Sequence, residues 1–407
     1  MQPALTNNAD PFSFSDKFSL ATEFIVNTNQ NIFLTGKAGT GKTTFLKYIR
    51  GACNKELAVT APTGVAAINC GGSTLHSLFQ LPFGCYIPGE LRGFTQTNVS
   101  VTDRQSLFRN LKINNDKKEL FANMQLLIID EVSMLRCDML DAIDAILKRF
   151  RKNISEPFGG VQVLFIGDLY QLPPVVTNEE WQYLGEYYKS PFFFEAQALQ
   201  ENQPVCIELD TVYRQTDLDF IHLLNRIRNN EVTNEDYSLL QSLYKPYFQQ
   251  RSDNPYITLT THNYKADDIN KKELQKIAAK EYLFEALVKN DFPERMYPAE
   301  KTLTLKEGTR IMFIKNDSKE KQWYNGKLAT VQKIEYDEEV DATLVKVVPD
   351  GDQYPLYLEK EEWKNIRYVW NEEEHKIKEE EMGSFTQYPI RLAWAITIHK
   401  SQGLTFP

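Results

Sequence analysis

A glycine-rich loop carries the clearest chemical signal in the sequence. Residues 36–43, Gly-Lys-Ala-Gly-Thr-Gly-Lys-Thr, follow the short apolar stretch 31–35 and precede residues with helical spacing. In such a loop the glycines let backbone N–H groups surround phosphate oxygens at the beginning of a helix. Lys42 is placed to contact the β and γ phosphates of a nucleotide, and Thr43 to ligate magnesium. The competing interpretation is an ordinary glycine-rich turn.

Two acidic residues end a second apolar stretch, Leu-Leu-Ile-Ile-Asp-Glu, at residues 126–131. A buried strand here delivers Asp130 to the magnesium, and Glu131 then polarises the water that attacks the γ-phosphate. A kinase would place its acceptor hydroxyl at this position, so the pair favours a hydrolase. The alternative is a strand that merely ends in acidic residues.

Two further residues are candidates for contact with the γ-phosphate. Gln171 follows a third apolar stretch within Gly-Asp-Leu-Tyr-Gln-Leu-Pro-Pro-Val, residues 167–175, where a neutral side chain can sense the phosphate. Arg214, in Thr-Val-Tyr-Arg-Gln, is suited to cross a cleft and stabilise charge on the transferred phosphoryl group. A proline-stiffened loop and a surface salt bridge are the respective alternatives.

Small hydroxyl residues at and after strand ends indicate contacts with a nucleic acid. Thr60, Thr63 and Thr74 are candidate donors to phosphates, and His76 and Phe79 are candidates for stacking on bases. Strand-end capping and a core aromatic are the competing interpretations. Two later polar groups, at residues 260–263 and 396–405, also follow apolar stretches, and the second suits a phosphate contact coupled to the nucleotide.

The elements that must position these residues form an alternating pattern. Continuous apolar stretches with helical segments between them predict parallel strands buried on both faces, and therefore a doubly wound α/β domain. Residues 80–118 interrupt this domain as an insertion. A second α/β region begins near residue 204, and residues 300–383 carry period-two segments typical of a small β-barrel inserted into it.

Composition limits the class of protein. The 407 residues allow two or three domains, and 42% hydrophobic with 25% charged residues is typical of a soluble globular chain. No apolar run approaches the roughly 18–20 residues that span a bilayer, and no targeting signal is visible. Five scattered cysteines without a Cys-x-x-Cys pair argue against a disulfide framework or zinc site, so we expect a reducing cytoplasm.

The net charge of −9 is mostly one acidic segment. Residues 335–381 contain 16 Asp or Glu and 6 Lys or Arg, which leaves the rest of the chain almost neutral. We interpret the segment as a solvated face of a small domain. The neutral remainder permits DNA binding in a narrow groove but gives no positive evidence for it.

Seven motifs occur in an order that resembles the petite-integration-frequency (Pif) family of superfamily 1B DNA helicases, relatives of RecD. They are GKAGTGKTT, TAPTGVAA, STLHSLF, LIIDEVSML, PFGGVQVLFIGDLYQLPPV, VYRQ and AITIHKSQG, between about residues 30 and 405. The resemblance implies two RecA-like domains with parallel sheets, an inserted SH3-like β-barrel, and an ATP-driven motor that moves 5′ to 3′ on single-stranded DNA and unwinds duplexes. It also implies roles in DNA repair, recombination and telomere maintenance.

The resemblance implies specific domain bounds and residue roles. The first domain is expected at 1–200 with its insertion at about 80–118, the second at 201–300 and 384–407, and the SH3-like domain at 301–383. Catalytic roles fall on Lys42, Glu131, Gln171 and Arg214, and magnesium on Thr43 and Asp130. The remaining residues expected to contact ATP are Gly36, Ala38, Gly39, Thr40, Gly41, Thr44, Gln402 and Gly403. Those expected along the DNA are Thr60, Pro62, Thr63, Thr74, His76, Phe79, His262, Asn263, Thr397, His399 and Lys400.

Two departures from the family pattern leave alternatives open. No adenine-reading glutamine can be placed between Asp16 and Asn27, so base selectivity stays open. The sequence ends at Leu-Thr-Phe-Pro, before the family's last motif with its second arginine finger, so a non-catalytic or weakly catalytic single-stranded DNA clamp is the alternative function. The expected partners are single-stranded and forked duplex DNA, with ATP and Mg²⁺, for a monomeric cytoplasmic protein associated with the nucleoid and not with a membrane.

Overall fold

A computed structural model describes residues 15–91, 99–211, 218–247, 256–317, 322–338 and 342–402. The α-helices and strands of the first domain are α1 (Asp16–Asn27), β1 (Ile32–Gly36), α2 (Lys42–Ala52), β2 (Leu57–Ala61), α3 (Gly64–Cys70), β3 (Ser73–Thr74), α4 (Leu75–Phe79), β4 (Cys85–Ile87), β5 (Val101–Asp103), α5 (Arg104–Asn110), α6 (Asn115–Asn123), β6 (Leu126–Ile129), α7 (Cys137–Arg151), β7 (Gln162–Ile166), α8 (Asn178–Leu184) and β8 (Val205–Leu209). The elements from β4 to α6 belong to the insertion. Six of the strands form an all-parallel sheet in the order β3-β2-β6-β7-β1-β8.

The apolar stretches form this sheet because its central strands have a hydrophobic core on each face. Every residue of β6 and β7 is buried, as the continuous apolar sequence predicts. One core packs under α1 and α2, and the other packs under α7 and the insertion. The carboxyl ends of parallel strands meet at one edge of a sheet, so the loops after β1, β6 and β7 come together there.

The expected insertion at about 80–118 falls on described elements that lie outside the six-stranded sheet, from β4 to α6, and α6 ends at Asn123. Within it β4 pairs with β5 in a two-stranded parallel sheet, and α5 and α6 follow. The expected boundary of the first domain at residue 200 is wrong, because β8 pairs with β1 along its whole length and completes the first sheet. The apolar stretch at 205–209 therefore closes the first domain and does not open the second.

The second domain has fewer described elements. They are α9 (Leu218–Asn229), α10 (Asn234–Ser242), β9 (Thr258–Thr260), α11 (Asn263–Lys276), β20 (Ala395–Thr397) and α12 (Ile398–Ser401). Strand β9 pairs in parallel with β20, and the Asn270 side chain fixes α11 to Ala395 through two hydrogen bonds of 2.8 Å. Segments that are 125 residues apart in sequence therefore form one unit.

Antiparallel β structure separates those two segments. Its strands are β10 (Tyr282–Glu285), β11 (Leu287–Asn290), β12 (Thr302–Leu305), β13 (Arg310–Phe313), β14 (Leu328–Asp337), β15 (Ala342–Pro349), β16 (Leu356–Tyr357), β17 (Glu361–Asn371), β18 (Lys376–Gln387) and β19 (Ile390–Leu392). The expected bounds 301–383 are too narrow, because β10 pairs with β12, β11 with β18, and β13 with β19.

The long hairpin β17–β18 connects this β region to the first domain. Residue Tyr368 is 3% exposed, and its hydroxyl accepts a hydrogen bond of 3.1 Å from the Val59 backbone N–H of β2. The Ile377 N–H donates to Glu56, and Arg50 forms an ion pair with Glu379. The Tyr368 side chain thus satisfies a backbone donor of β2 at Val59, beyond the two β2 residues that pair with β3. No helix in the described ranges is long and apolar enough to cross a membrane.

We predict that Tyr368→Phe lowers the free energy of unfolding by about 1–3 kcal/mol, because Val59 then has a buried N–H without an acceptor. Thermal or urea unfolding of the purified protein measures the change. Tyr354→Phe is the matched control, since Tyr354 is 82% exposed. A Tyr368→Phe protein as stable as the wild type would contradict this role for the hairpin.

Candidate nucleotide site and nucleic-acid track

The loop between β1 and α2 has the backbone of a phosphate-binding loop. Gly39 and Gly41 adopt positive φ angles of 80° and 93°, which favour glycine. A Cβ at Gly36 would lie 2.6 Å from both the Leu209 carbonyl oxygen and Thr40 Oγ1, so this position accepts no side chain. Lys42 begins α2, and its Nζ donates to the carbonyl of Gly36 at 2.6 Å.

The predicted carboxylates lie at the end of β6, next to this loop. Asp130 Oδ1 accepts a hydrogen bond of 2.9 Å from the Glu131 N–H. Burial raises the pKa of Asp130 to about 6, and burial followed by the Asp130 charge raises the pKa of Glu131 to about 7. Glu131 has a φ of 53°, and such backbone strain in a non-glycine residue is concentrated at functional sites.

Five charged groups lie close enough to form one site, because four of them act on the pKa of the fifth, Lys42. Burial is the main cause that lowers the pKa of Lys42, and the carboxylates of Asp168 and Glu131 oppose this shift. Asp130 opposes it more weakly, whereas the guanidinium of Arg228 adds to it. The site therefore combines a cation from the glycine-rich loop, carboxylates from two strand ends, and an arginine from the second domain.

These residues fit a magnesium–nucleotide complex. Thr43 is exposed at the beginning of α2, and Asp130 supplies an oxygen ligand of the kind that Mg²⁺ prefers. In the part of the chain that the structure describes, no group of three or more His, Cys, Asp and Glu side chains is arranged to hold a metal ion.

Asp168 and Arg228 form a contact between domains that the sequence analysis missed. Asp168, which is 2% exposed, follows β7 and forms a salt bridge of 2.7 Å with Arg228 of α9. The Arg228 guanidinium also lies 4.2 Å from the centre of the Tyr170 ring. Arg228 belongs to none of the seven family motifs. The sequence showed it only as a basic residue near the end of a helical pattern, which does not indicate a contact with another domain.

The structure brings Gln171 and Gln402 together across the same interface. Gln402 Nε2 donates to Gln171 Oε1 at 3.0 Å, and Gln171 Nε2 lies 3.4 Å from Asp168 Oδ2. Both glutamines were predicted nucleotide-site residues, one from each domain. Arg214 and Gly403 lie outside the described residues.

The predicted DNA-contacting residues divide into accessible and buried groups. The accessible ones, which are exposed or half-buried, are Pro62, Thr63, Thr74, His76, His262, Asn263, His399 and Lys400. Two of them also cap helices: the hydroxyl of Thr63 accepts from the Ala66 N–H, and that of Thr74 from the Ser77 N–H. The capping interpretation is therefore correct for both, and it leaves their backbones at the surface.

Three predicted DNA contacts are wrong for the side chains concerned, because those side chains are buried. Phe79 is 0% exposed and stacks on Phe121 in the core, with ring centroids 5.2 Å apart. The hydroxyl of Thr60, also fully buried, donates to the Ile128 carbonyl at 2.9 Å. Thr397, which is 2% exposed, caps α12. Phe79 is buried because its ring packs against apolar neighbours. The hydroxyls of Thr60 and Thr397 are buried because each forms a hydrogen bond with a backbone group.

Comparison with known proteins identifies a family and a fold. A family model described as PIF1-like helicase matches residues 17–238. The crystal structure of Bacteroides sp Pif1 in complex with ADP-AlF4 is 39% identical and covers 97% of this chain and 85% of that chain, with a TM-score of 0.85. The match confirms the predicted α/β fold class with its RecA-like domains and inserted β domain. The Bacteroides Pif1 structure bound to ssDNA has the same identity and coverage but a TM-score of 0.58.

Curated relatives are longer than this chain. The ATP-dependent DNA helicase Pif1 of Psychrobacter sp. (strain PRwf-1) is 33% identical, over 94% of this chain and 61% of its own length. The chain spans 33% of the length of the ATP-dependent DNA helicase PIF1 of Saccharomyces cerevisiae (strain YJM789) and 54% of that of Danio rerio.

We predict that Gly36→Ala weakens nucleotide binding at least tenfold, since a Cβ there displaces the loop whose N–H groups surround the phosphates. Binding of a fluorescent ADP analogue measures the change. Gly51→Ala is the matched control, because a Cβ at Gly51 would meet no atom within 4 Å and alanine favours the helix. Equal affinities for Gly36→Ala and wild type would contradict the loop assignment.

Proposed function

The chain belongs to the PIF1-like helicase family, and we propose that it is an ATP-dependent DNA helicase that moves 5′ to 3′ on single-stranded DNA and unwinds duplexes as a monomer. One observation carries the proposal most directly. The residues suited to hydrolyse ATP contact the second domain through the Asp168–Arg228 salt bridge and the Gln171–Gln402 hydrogen bond. A motor needs such a link between its nucleotide site and a moving domain.

Hydrolysis is assigned to the first domain. Lys42 binds the β and γ phosphates, and Thr43 and Asp130 hold magnesium. Magnesium held by Thr43 and Asp130 would supply positive charge to offset the negative charge that develops on the phosphates. Glu131 orients the attacking water and accepts its proton, and its raised pKa of about 7 suits an acceptor that works near neutral pH.

Coupling to DNA is assigned to the interface between the domains. The chain is more similar to the Bacteroides protein with ADP-AlF4 than to the same protein with ssDNA, at equal identity and coverage. This difference supports a rearrangement of domains when DNA binds. Arg228 and Gln402 would then move relative to Asp168 and Gln171, which changes the charges around Lys42. Arg214 is proposed to approach the γ-phosphate from the second domain in the closed arrangement.

The DNA path is assigned to accessible residues of both domains. Thr63, Thr74 and His76 would contribute from the first domain, and His262 and Lys400, among others, from the second. Contacts of this kind bind phosphates and base faces, so binding should tolerate any sequence and weaken as salt rises. Forked duplexes are the proposed substrate, and the Bacteroides structure bound to ssDNA supports a DNA partner.

The direct test uses two partial duplexes of one sequence, one with a 5′ single-stranded tail and one with a 3′ tail. We predict that the protein with Mg–ATP separates the strands of the 5′-tailed substrate, and that single-stranded DNA stimulates its ATP hydrolysis. Unwinding of the 3′-tailed substrate alone would contradict the direction. DNA binding without stimulated hydrolysis would replace the proposal with the clamp function.

We predict that Glu131→Gln lowers DNA-stimulated turnover by at least a hundredfold while ATP binding persists, because the amide cannot accept the proton and Lys42 still holds phosphate. Steady-state hydrolysis and equilibrium nucleotide binding separate the two effects. Glu23→Gln, a change of an exposed carboxylate on α1, is the control and should keep wild-type turnover. Wild-type turnover in Glu131→Gln would refute the base assignment.

A further inference from the structure

Phe83 is an exposed aromatic residue beside the proposed DNA path. Its side chain is 71% exposed, although it lies between the buried residues Leu81 and Cys85. The Phe83 ring stacks on that of His76, with centroids 5.9 Å apart and planes inclined by 21°. None of the recognised motifs contains Phe83, and the first domain's core makes no use of its ring.

The loop that presents Phe83 is fixed at both ends. Gln80 adopts a left-handed conformation with φ of 52° at the end of α4. Gly84 has a φ of 100°, and a Cβ there would lie 2.0 Å from the Ser100 carbonyl oxygen. That carbonyl accepts a hydrogen bond of 3.0 Å from the Cys85 N–H. The backbone therefore holds the phenylalanine ring outward, instead of letting it fold into the core.

A cation lies near this pair of rings. Burial lowers the pKa of His76, and the charges of Arg295 and Arg136 add to the effect, against Asp138. Arg136 is already neutralised by its salt bridges with Asp138 and Glu180, both 2.8 Å long. His76 stacks on one face of the Phe83 ring, the exposed remainder of that ring faces solvent, and Arg295 supplies a positive charge nearby.

Arg295 lies between β11 and β12, inside the antiparallel β region. It is exposed, and within the described ranges its side chain forms no ion pair or hydrogen bond. The next residue, Met296, packs against α3 so closely that a Cβ at Gly64 would lie 2.9 Å from its Cγ. This contact places Arg295 beside the beginning of α3, next to Thr63, where the proposed path runs.

We propose that Phe83 and His76 form a stacking platform for one unpaired nucleobase, and that Arg295 binds a neighbouring phosphate. The inference rests on the proposed function, because it extends the same DNA path. An exposed aromatic face gains by covering its apolar surface with a base, and each base of a single strand offers such a face. Bases inside a duplex are stacked on each other, so the platform selects unpaired DNA and tolerates any sequence.

The test compares a fluorescent oligo(dT) with an oligonucleotide of equal length whose central nucleotides are abasic. Phe83→Ala should weaken binding of oligo(dT) about tenfold and leave binding of the abasic oligonucleotide unchanged. Phe83→Trp should restore the affinity for oligo(dT). Arg295→Ala should weaken both oligonucleotides and reduce the slope of log affinity against log salt by about one. Tyr354→Ala, the control at an aromatic residue of similar exposure, should bind both as the wild type does.

The outcomes separate this inference from the proposed function. If wild-type protein binds oligo(dT) but Phe83→Ala binds it equally well, or weakens both oligonucleotides to the same extent, the platform is overturned and the helicase proposal stands. If wild-type protein binds neither oligonucleotide, the proposed function fails, and the platform fails with it.

Discussion

The buried carboxylate of Asp168 is the group on which the proposed coupling between the nucleotide site and the second domain depends. It is 2% exposed, so its charge requires a partner, and the partner comes from the other domain as Arg228 at 2.7 Å. The same carboxylate also acts on Lys42, which is assigned to the phosphates. A change in charge at the nucleotide is therefore felt by the group that holds Arg228. Removing either partner leaves a buried charge uncompensated, so the proposed separation of the domains requires a new partner for Asp168.

The parallel sheet supplies the geometry for this junction. Lys42, Asp130 and Asp168 follow three different strands, and they meet because the carboxyl ends of parallel strands lie along one edge. The second domain reaches the same edge with α9 and with Gln402 beyond α12. The β17–β18 hairpin contacts a different part of the first domain, along β2. The inserted β region therefore contacts the first domain independently of the Asp168–Arg228 contact.

The structure brings the predicted nucleotide-site residues Lys42, Asp130 and Glu131 together, whereas three predicted DNA contacts are buried, and the difference has physical reasons. Lys42 and Asp130 were predictable because phosphate and magnesium restrict both residue type and spacing in a local segment. Phe79 was misread because an aromatic residue on a short helix has the same pattern whether it faces a base or the core. Arg228 was missed because its role comes from a tertiary contact with a residue 60 positions away. The end of the first domain was misplaced because β8, although it precedes the second domain, pairs with β1.

Under the proposed function, the Asp168–Arg228 contact transmits the state of the nucleotide to the DNA-binding surface. The direct measurement is the affinity for oligo(dT) with and without a non-hydrolysable ATP analogue, in wild type and in Arg228→Ala. Arg226→Ala is the matched control, because Arg226 lies on the same helix but pairs with Asp236 inside the second domain. We expect the analogue to change the affinity by the same factor in wild type and Arg226→Ala, and by a factor much closer to one in Arg228→Ala. An unchanged factor in Arg228→Ala would contradict it.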